Sequence, residues 1–228
     1  MNIDDTTTIC INKKTVDVCM EVSNFSKIIK RVVDIMAGIV GVLILAPLSL
    51  CVKVANIKNK DKNSIFFVQN RIGKNGKIFK MYKYRTMMVG AEEELEKLLA
   101  ENEEIRKEYD ENKKIKDDPR ITKVGRVLRK TSLDEFPQFV NILKGEMSLV
   151  GPRPYLERER KDMGEAYEKI ISMKPGLTGL WQISGRSDIN FNDRVELDVE
   201  YYNNNSFWGD IKIILRTVTT VLKRKGAI

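Results

Sequence analysis

The stretch IMAGIVGVLILAPLSLCV, Ile35 to Val52, carries no charge and constrains this chain more than any other segment. As a helix it would cover about 27 Å, close to the hydrocarbon thickness of a bilayer. It follows a polar leader, residues 1–24, which is a candidate for disorder and places the run too far from the N-terminus for a cleavable signal peptide. Lys27, Lys30 and Arg31 precede the run, and Lys53, Lys58, Lys60 and Lys62 follow it. Basic flanks prefer the cytoplasmic side, and here both ends carry them. Pro47 removes a helix hydrogen bond inside the run and favours a kink. Together these predict a re-entrant helix–break–helix over residues 25–57 that returns to the membrane face it left. A single straight span and a buried core helix are the competing geometries.

The formal net charge is +8 and there is no histidine. A basic balance points to phosphate-bearing partners, whether nucleotide substrates, anionic lipid or nucleic acid. Without histidine, acid–base work falls to carboxylates, Lys, Tyr or the substrate, and Ser-His-Asp triads and His-containing zinc sites are excluded. Cys10, Cys19 and Cys51 form no CxxC pair, which suits a reducing compartment. Nucleic-acid binding rests on charge alone, and that charge is spread along the chain instead of gathered in a module.

After the apolar run, SIFFVQNRIGKNGKIFKMYKYRTM predicts a β-hairpin turning at Asn75-Gly76. Its basic, aromatic second half, Lys77 to Arg85, suits either a phosphate or a solvated strand face. AEEELEKLLAENEEIRKEYDENKK predicts a solvated helix with a modest stripe of Leu95, Leu98, Leu99 and Ile105. In GPRP, two prolines stiffen the loop around Arg153, whose guanidinium suits phosphate oxygens. KPGLTGLWQISGR displays Trp181, Gln182 and Arg186 on a Gly-punctuated loop. The tail FWGDIKIILRTVTTVLKRKGAI is amphipathic, and either docks on the core or lies among lipid headgroups.

Between these, TSLDEFPQF places adjacent carboxylates, Asp134 and Glu135, where a helix begins. Ser132 and Glu135 have capping-box spacing. Proline is tolerated only in a first helical turn, so Pro137 sets the start near Leu133 or Asp134. At that positive end Asp134 is expected to stay ionised and a phosphate to be attracted.

These features resemble the bacterial sugar transferases, the small monotopic phosphoglycosyl transferases of the membrane. The resemblance runs from Lys27 to the C-terminus. It is carried by the basic-flanked apolar helix, KMYKYRTM, DPRITKVGRVLRKTSLDEFPQFVNILKGEMSLVGPRP, KPGLTGLWQISGR and ELDVEYYNNNSFWGDIKIILRT. It implies transfer of a phosphosugar from a UDP-sugar to a polyprenol phosphate such as undecaprenyl phosphate, with UMP leaving. Asp134 matches the family's nucleophile and Glu135 its dyad partner, both working with Mg²⁺. Arg153 matches the arginine of the PRP loop, and Arg129 and Arg186 match basic residues near the donor phosphates; Gln182 and Arg85 complete the candidate substrate-binding set. One departure is Ala46-Pro47 where members commonly carry Ser-Pro, so no serine hydroxyl serves the proline break.

Residues and resemblance together lead to an α+β protein: mainly helical, monotopic, with a re-entrant membrane helix, a small β-hairpin and amphipathic interfacial helices. Residues 58–228 form a cytosolic catalytic domain on the bacterial inner membrane. A non-catalytic, membrane-anchored polysaccharide assembly factor is the alternative function. The sugar, and any homo-oligomer, stay open.

Overall fold

The structure is a computed structural model that describes the backbone of residues 13–112, 115, 117–185 and 189–222, and side chains from Ser26 onward. It opens with one helix, α1, Lys13–Lys58, which begins inside the polar leader. Burial along α1 follows a helical period through Lys30, Arg31, Asp34, Gly38, Gly41, Leu45, Leu48, Val52 and Asn56. That stripe lies on the protein body, while Val32, Met36, Ile39, Val40, Leu43 and Leu50 are exposed on the other side. Ser26–Lys58 is long and apolar enough to cross a membrane by length and composition.

The break expected at Pro47 is absent, because α1 continues through the proline. Its buried face is held on both sides of that point: Gly38 and Gly41 meet Leu143 and Phe139, and Leu45, Leu48 and Val52 join a core with Ile65, Tyr84 and Leu128. Packing of this kind outweighs the one hydrogen bond a proline removes. Tyr84 reaches the helix beside this point. Its hydroxyl lies 2.7 Å from Ser49 Oγ and donates to the Leu45 carbonyl at 3.4 Å.

Two of the flanking cations are structural. Lys30 bonds the Val150 carbonyl (2.9 Å), the Tyr201 hydroxyl (3.0 Å) and the Asp210 carboxylate. Arg31 donates to the Ile142 and Leu143 carbonyls at 2.7 and 2.9 Å. Sequence composition does not distinguish an anchor of this kind from a headgroup-facing lysine.

The expected hairpin is present: β1 (Phe66–Ile72) pairs antiparallel with β2 (Ile78–Tyr84), with Phe67 opposite Lys83 and Arg71 opposite Phe79. Asn75 (φ 56°) and Gly76 (φ 76°) both take the left-handed conformation that the turn requires. The charged segment forms two helices, α2 (Ala91–Glu101) and α3 (Glu103–Asn112), instead of one. Asn102 breaks it by turning extended and accepting the N–H groups of Glu104 and Ile105.

Beyond these, α4 (Lys123–Thr131) and α5 (Gln138–Lys144) pack beside the hairpin. Strand β3 (Ser148–Val150) pairs in parallel with β4 (Gly176–Thr178), a pair too short to leave a period in the sequence. Helices α6 (Ala166–Ile171), α7 (Leu180–Ser184), α8 (Phe191–Asn204) and α9 (Phe207–Leu222) close the body. Helix α9 docks on the body, the first reading of the tail, and leaves a mixed apolar and basic face outward. Asp210 and Ile213 face inward, and Trp208, Leu215 and Val218 are exposed beside Lys212 and Arg216.

Asp198 of α8 is fully buried and accepts the Tyr155 hydroxyl (2.9 Å) and the Arg153 backbone N–H (3.0 Å). Burial still pushes its carboxyl up to about 7. Tyr155→Phe is expected to lower stability by about 2 kcal/mol at pH 8, since a donor to a buried ionised group is lost. Urea unfolding should show a smaller loss at pH 5, where the folded protein holds Asp198 protonated.

Candidate functional site

The carboxylate pair sits where α4 gives way to α5. Ser132 takes a left-handed conformation (φ 57°) and its N–H bonds the Leu128 and Arg129 carbonyls, which ends α4. Leu133–Glu135 then form a 3₁₀ turn that runs through Phe136 and Pro137 into α5. Helical structure therefore starts near Leu133 as expected, but not through a capping box. The Ser132 side chain makes no cap bond to this turn, and its backbone terminates the preceding helix instead.

Asp134 and Glu135 open into a cleft of about 740 Å³. Phe67, Gln69 and Arg71 of β1 form one wall, with Lys83 and Arg85 from the end of β2. Met87 to Glu93, Arg120 and Arg129 form another, and Trp181 and Gln182 close one end. Lys83 Nζ lies 2.9 Å from Glu135 Oε1. Arg129 Nε donates to Thr86 Oγ1 at 3.0 Å. Gly125 makes that approach possible, because a Cβ there would stand 2.0 Å from the Thr86 carbonyl oxygen.

Asp134 is half-buried, facing the cleft with protein around it. Burial pushes its carboxyl up to about 6; Lys83 and Arg129 pull the other way, and Glu135 adds to the rise. The positive surroundings thus do not hold the group as acidic as a helix end alone would. It is still roughly nine-tenths ionised at pH 7.

The candidate cations divide. Arg129 lines the cleft with Asp134 as an electrostatic neighbour. Arg85 also lines it, but is engaged by Asp61 (2.7 Å), the Ser64 carbonyl (2.7 Å) and the Met87 carbonyl (2.9 Å). Arg153 does not line the cleft; its guanidinium is 5.4 Å from the Trp181 ring centre and 3.7 Å from the Glu159 carboxylate. Gln182 is in the cleft, and Arg186 lies outside the described residues. Sequence reasoning missed Arg71 and did not single out Lys83 within the run Lys77 to Arg85. The register of the hairpin, which sets Phe67, Gln69 and Arg71 on one face, is the signal that could have found them.

Chemically, the cleft is charged in both senses: Arg71, Lys83, Arg85, Arg120 and Arg129 line it together with Glu92, Glu93, Asp118, Asp134 and Glu135, and the cations nearest the ionisable Asp134 are Lys83 and Arg129. Among the described residues no group of three or more His, Cys, Asp or Glu side chains forms a metal cage. The adjacent carboxylates are hard oxygen donors, which fits Mg²⁺, an ion commonly held by one or two carboxylates plus substrate phosphates and water.

A helix long and apolar enough to cross a membrane is thus laid along an α+β body, with a carboxylate pair opening into a cleft lined by charged residues. Residues 25–224 match the family model described as Bacterial sugar transferase, and the chain belongs to that family. It is similar to the galactosyl transferase CpsE of Streptococcus agalactiae, with 48% identity over 88% of this chain and 43% of that protein. It is also similar to the undecaprenyl-phosphate galactose phosphotransferase of Salmonella typhimurium, with 43% identity over 89% of this chain and 42% of that protein. The exopolysaccharide production protein ExoY of Rhizobium meliloti is 43% identical, with 87% of each chain covered. The chain thus spans about two fifths of the first two relatives.

Proposed function

We propose that this protein transfers a phosphosugar from a UDP-sugar to a polyprenol phosphate, at the cytosolic face of the inner membrane, through a covalent intermediate on Asp134. The observation that carries this reading is the half-buried Asp134, flanked by Lys83, Glu135 and Arg129 on the floor of a cleft large enough for a nucleotide sugar. In the first step an Asp134 carboxylate oxygen bonds the sugar-bearing phosphorus as its bond to the bridging oxygen breaks, and UMP leaves with that electron pair. In the second, an oxygen of the lipid phosphate bonds the same phosphorus and the Asp134 carboxylate departs. Neither nucleophile needs deprotonating near neutral pH, which accords with a chain that has no histidine.

Lys83 and Arg129 supply positive charge where it builds up on the transferring group. Asp134 and Glu135 would hold Mg²⁺, which supplies neutralisation of diphosphate charge when bound. The exposed apolar side of α1 supports placement in lipid as one continuous helix along the body. Body contacts from Lys30 to Asn56 fit such an apposed helix better than a span that leaves the body behind.

The test is release of UMP by purified protein given UDP-sugars, Mg²⁺ and undecaprenyl phosphate; no UMP from any donor rejects the function. A second measurement addresses the metal. In metal-free protein the Asp134 carboxyl should titrate near pH 6 by carbon-13 NMR, and Mg²⁺ should move that midpoint down. A midpoint that ignores Mg²⁺ would remove Asp134 from the metal site.

A further inference from the structure

Unpaired buried polar atoms gather at one end of the cleft. Arg71 is only 9% exposed. Two of its nitrogens bond the Pro154 carbonyl (2.9 Å) and Gln69 Oε1 (2.6 Å), while Nε has no partner. Gln182, also 9% exposed, donates Nε2 to the Leu177 carbonyl at 3.0 Å. That bond fixes the amide orientation and leaves Oε1 as an unpaired acceptor. Trp181 lies under the guanidiniums of Arg153 (5.4 Å) and Arg194 (5.7 Å), and its Nε1 is unpaired. The other two such atoms among the described residues, Arg153 Nε and Asp198 Oδ1, belong to residues outside the cleft lining, of which Arg153 touches this end through the Trp181 ring. Buried polar groups are normally paired, so a concentration of exceptions in a cleft marks a place that a ligand completes.

We infer that Arg71, Trp181 and Gln182 form the subsite for the sugar hydroxyls of the donor. The inference rests on the proposed function and names which end of the cleft takes which part of the substrate. Two N–H donors beside a carbonyl acceptor match hydroxyl groups, each of which both donates and accepts. A phosphate only accepts, and would leave Gln182 Oε1 facing an anion. The uracil edge has mixed donors and acceptors too, but connectivity separates the two. The sugar is bonded to the phosphorus that Asp134 attacks, whereas the base stands beyond a second phosphate and a ribose. Arg71 bonds Gln69 (2.6 Å), which stands one same-face step along β1 from Phe67; opposite Phe67 is Lys83, which holds Glu135 at 2.9 Å beside Asp134, and this chain of contacts brings this end towards the reacting phosphorus. A site built to bond a substrate hydroxyl discriminates strongly against donors lacking it, because its own polar groups are then left unpaired.

Two conservative variants test the assignment. Trp181→Phe removes the indole N–H and keeps a ring under the guanidiniums; Gln182→Met removes the amide at similar volume. The readouts are kcat/KM for UDP-glucose, UDP-galactose and their N-acetylated counterparts, and inhibition by UMP. Each variant is expected to lose about tenfold or more in kcat/KM for the preferred donor. The preference over the other donors should shrink, and UMP inhibition should stay within about twofold of that of the unsubstituted protein. An unchanged donor preference would overturn the subsite. Weaker UMP inhibition in step with lost activity would give this end to the base and overturn it as well. Absence of transfer by the unsubstituted protein rejects the parent function and the subsite together, so normal transfer with unaltered preference is the outcome that rejects the subsite alone.

Discussion

Asp134→Asn is expected to lower phosphosugar transfer by at least about a thousandfold, the equivalent of roughly 4 kcal/mol of transition-state stabilisation. The amide nearly matches the carboxyl in shape but cannot form the intermediate, so no labelled phosphosugar should be trapped on the protein. The same change should not harm folding. Burial raises the folded-state Asp134 to about 6, above the ordinary carboxylate value near 4. Well above pH 6 the folded protein therefore holds an ionised group that the unfolded chain accommodates more readily, a penalty of up to roughly 3 kcal/mol. Asparagine removes it, so the variant should melt no lower than the parent at pH 8. That advantage should fade as pH falls through 6 towards 4, where both states are protonated. Transfer at the parent rate would show that Asp134 is not the nucleophile; lost transfer with an equal loss of stability at pH 8 would show that it supports the fold instead.

Gly41→Ala is expected to reverse the usual effect of that substitution in a helix. On an exposed helix, alanine gains about 1 kcal/mol over glycine. Here the new Cβ would stand 2.1 Å from the ring of Phe139 on α5. Such overpacking costs typically 1–3 kcal/mol, and it pushes α1 and α5 apart. Because α5 continues directly from the 133–135 turn, displacement there moves Asp134 relative to Lys83. A drop of about tenfold in UMP release should accompany the lower stability, since misplacement of reacting groups by even an ångström is felt strongly. Phe139→Ala in the same chain should restore part of both losses. A double mutant no better than the two single effects added together would place the strain elsewhere.

How much of this was legible differs by element. The hairpin was, because Asn75-Gly76 admits few other turns, and the carboxylate pair was, because Pro137 limits where a helix can start. The two-helix arm was not, since Asn102 sits in a run of strong helix formers and acts only through its cap. The β3–β4 pair is three residues a side and has no pattern to read. Lys30 and Arg31 read only as basic flanks of the apolar run because their partners, Asp210 and the carbonyls ending α5, are remote in sequence. At the site, Arg129 and Gln182, both singled out in the sequence, line the cleft, whereas Lys83 and Arg71 needed the strand register to be singled out. Arg85 shows the converse. Its position beside the cleft was foreseeable, its engagement by Asp61 and two carbonyls was not.

The Lys30 anchor has a consequence for how the chain is made. Its carboxylate partner, Asp210, lies 180 residues later. At ribosomal speeds of roughly 5–20 residues per second, that interval is on the order of ten to thirty seconds. During it the first helix is complete while α9, which supplies its ion-pair partner, does not yet exist. An apolar surface left waiting that long has to be sheltered, and a bilayer reached early is the natural shelter. Docking of α9 then comes long after the first helix is made, and it is the moment when that helix gains the ion pair that ties it to the body.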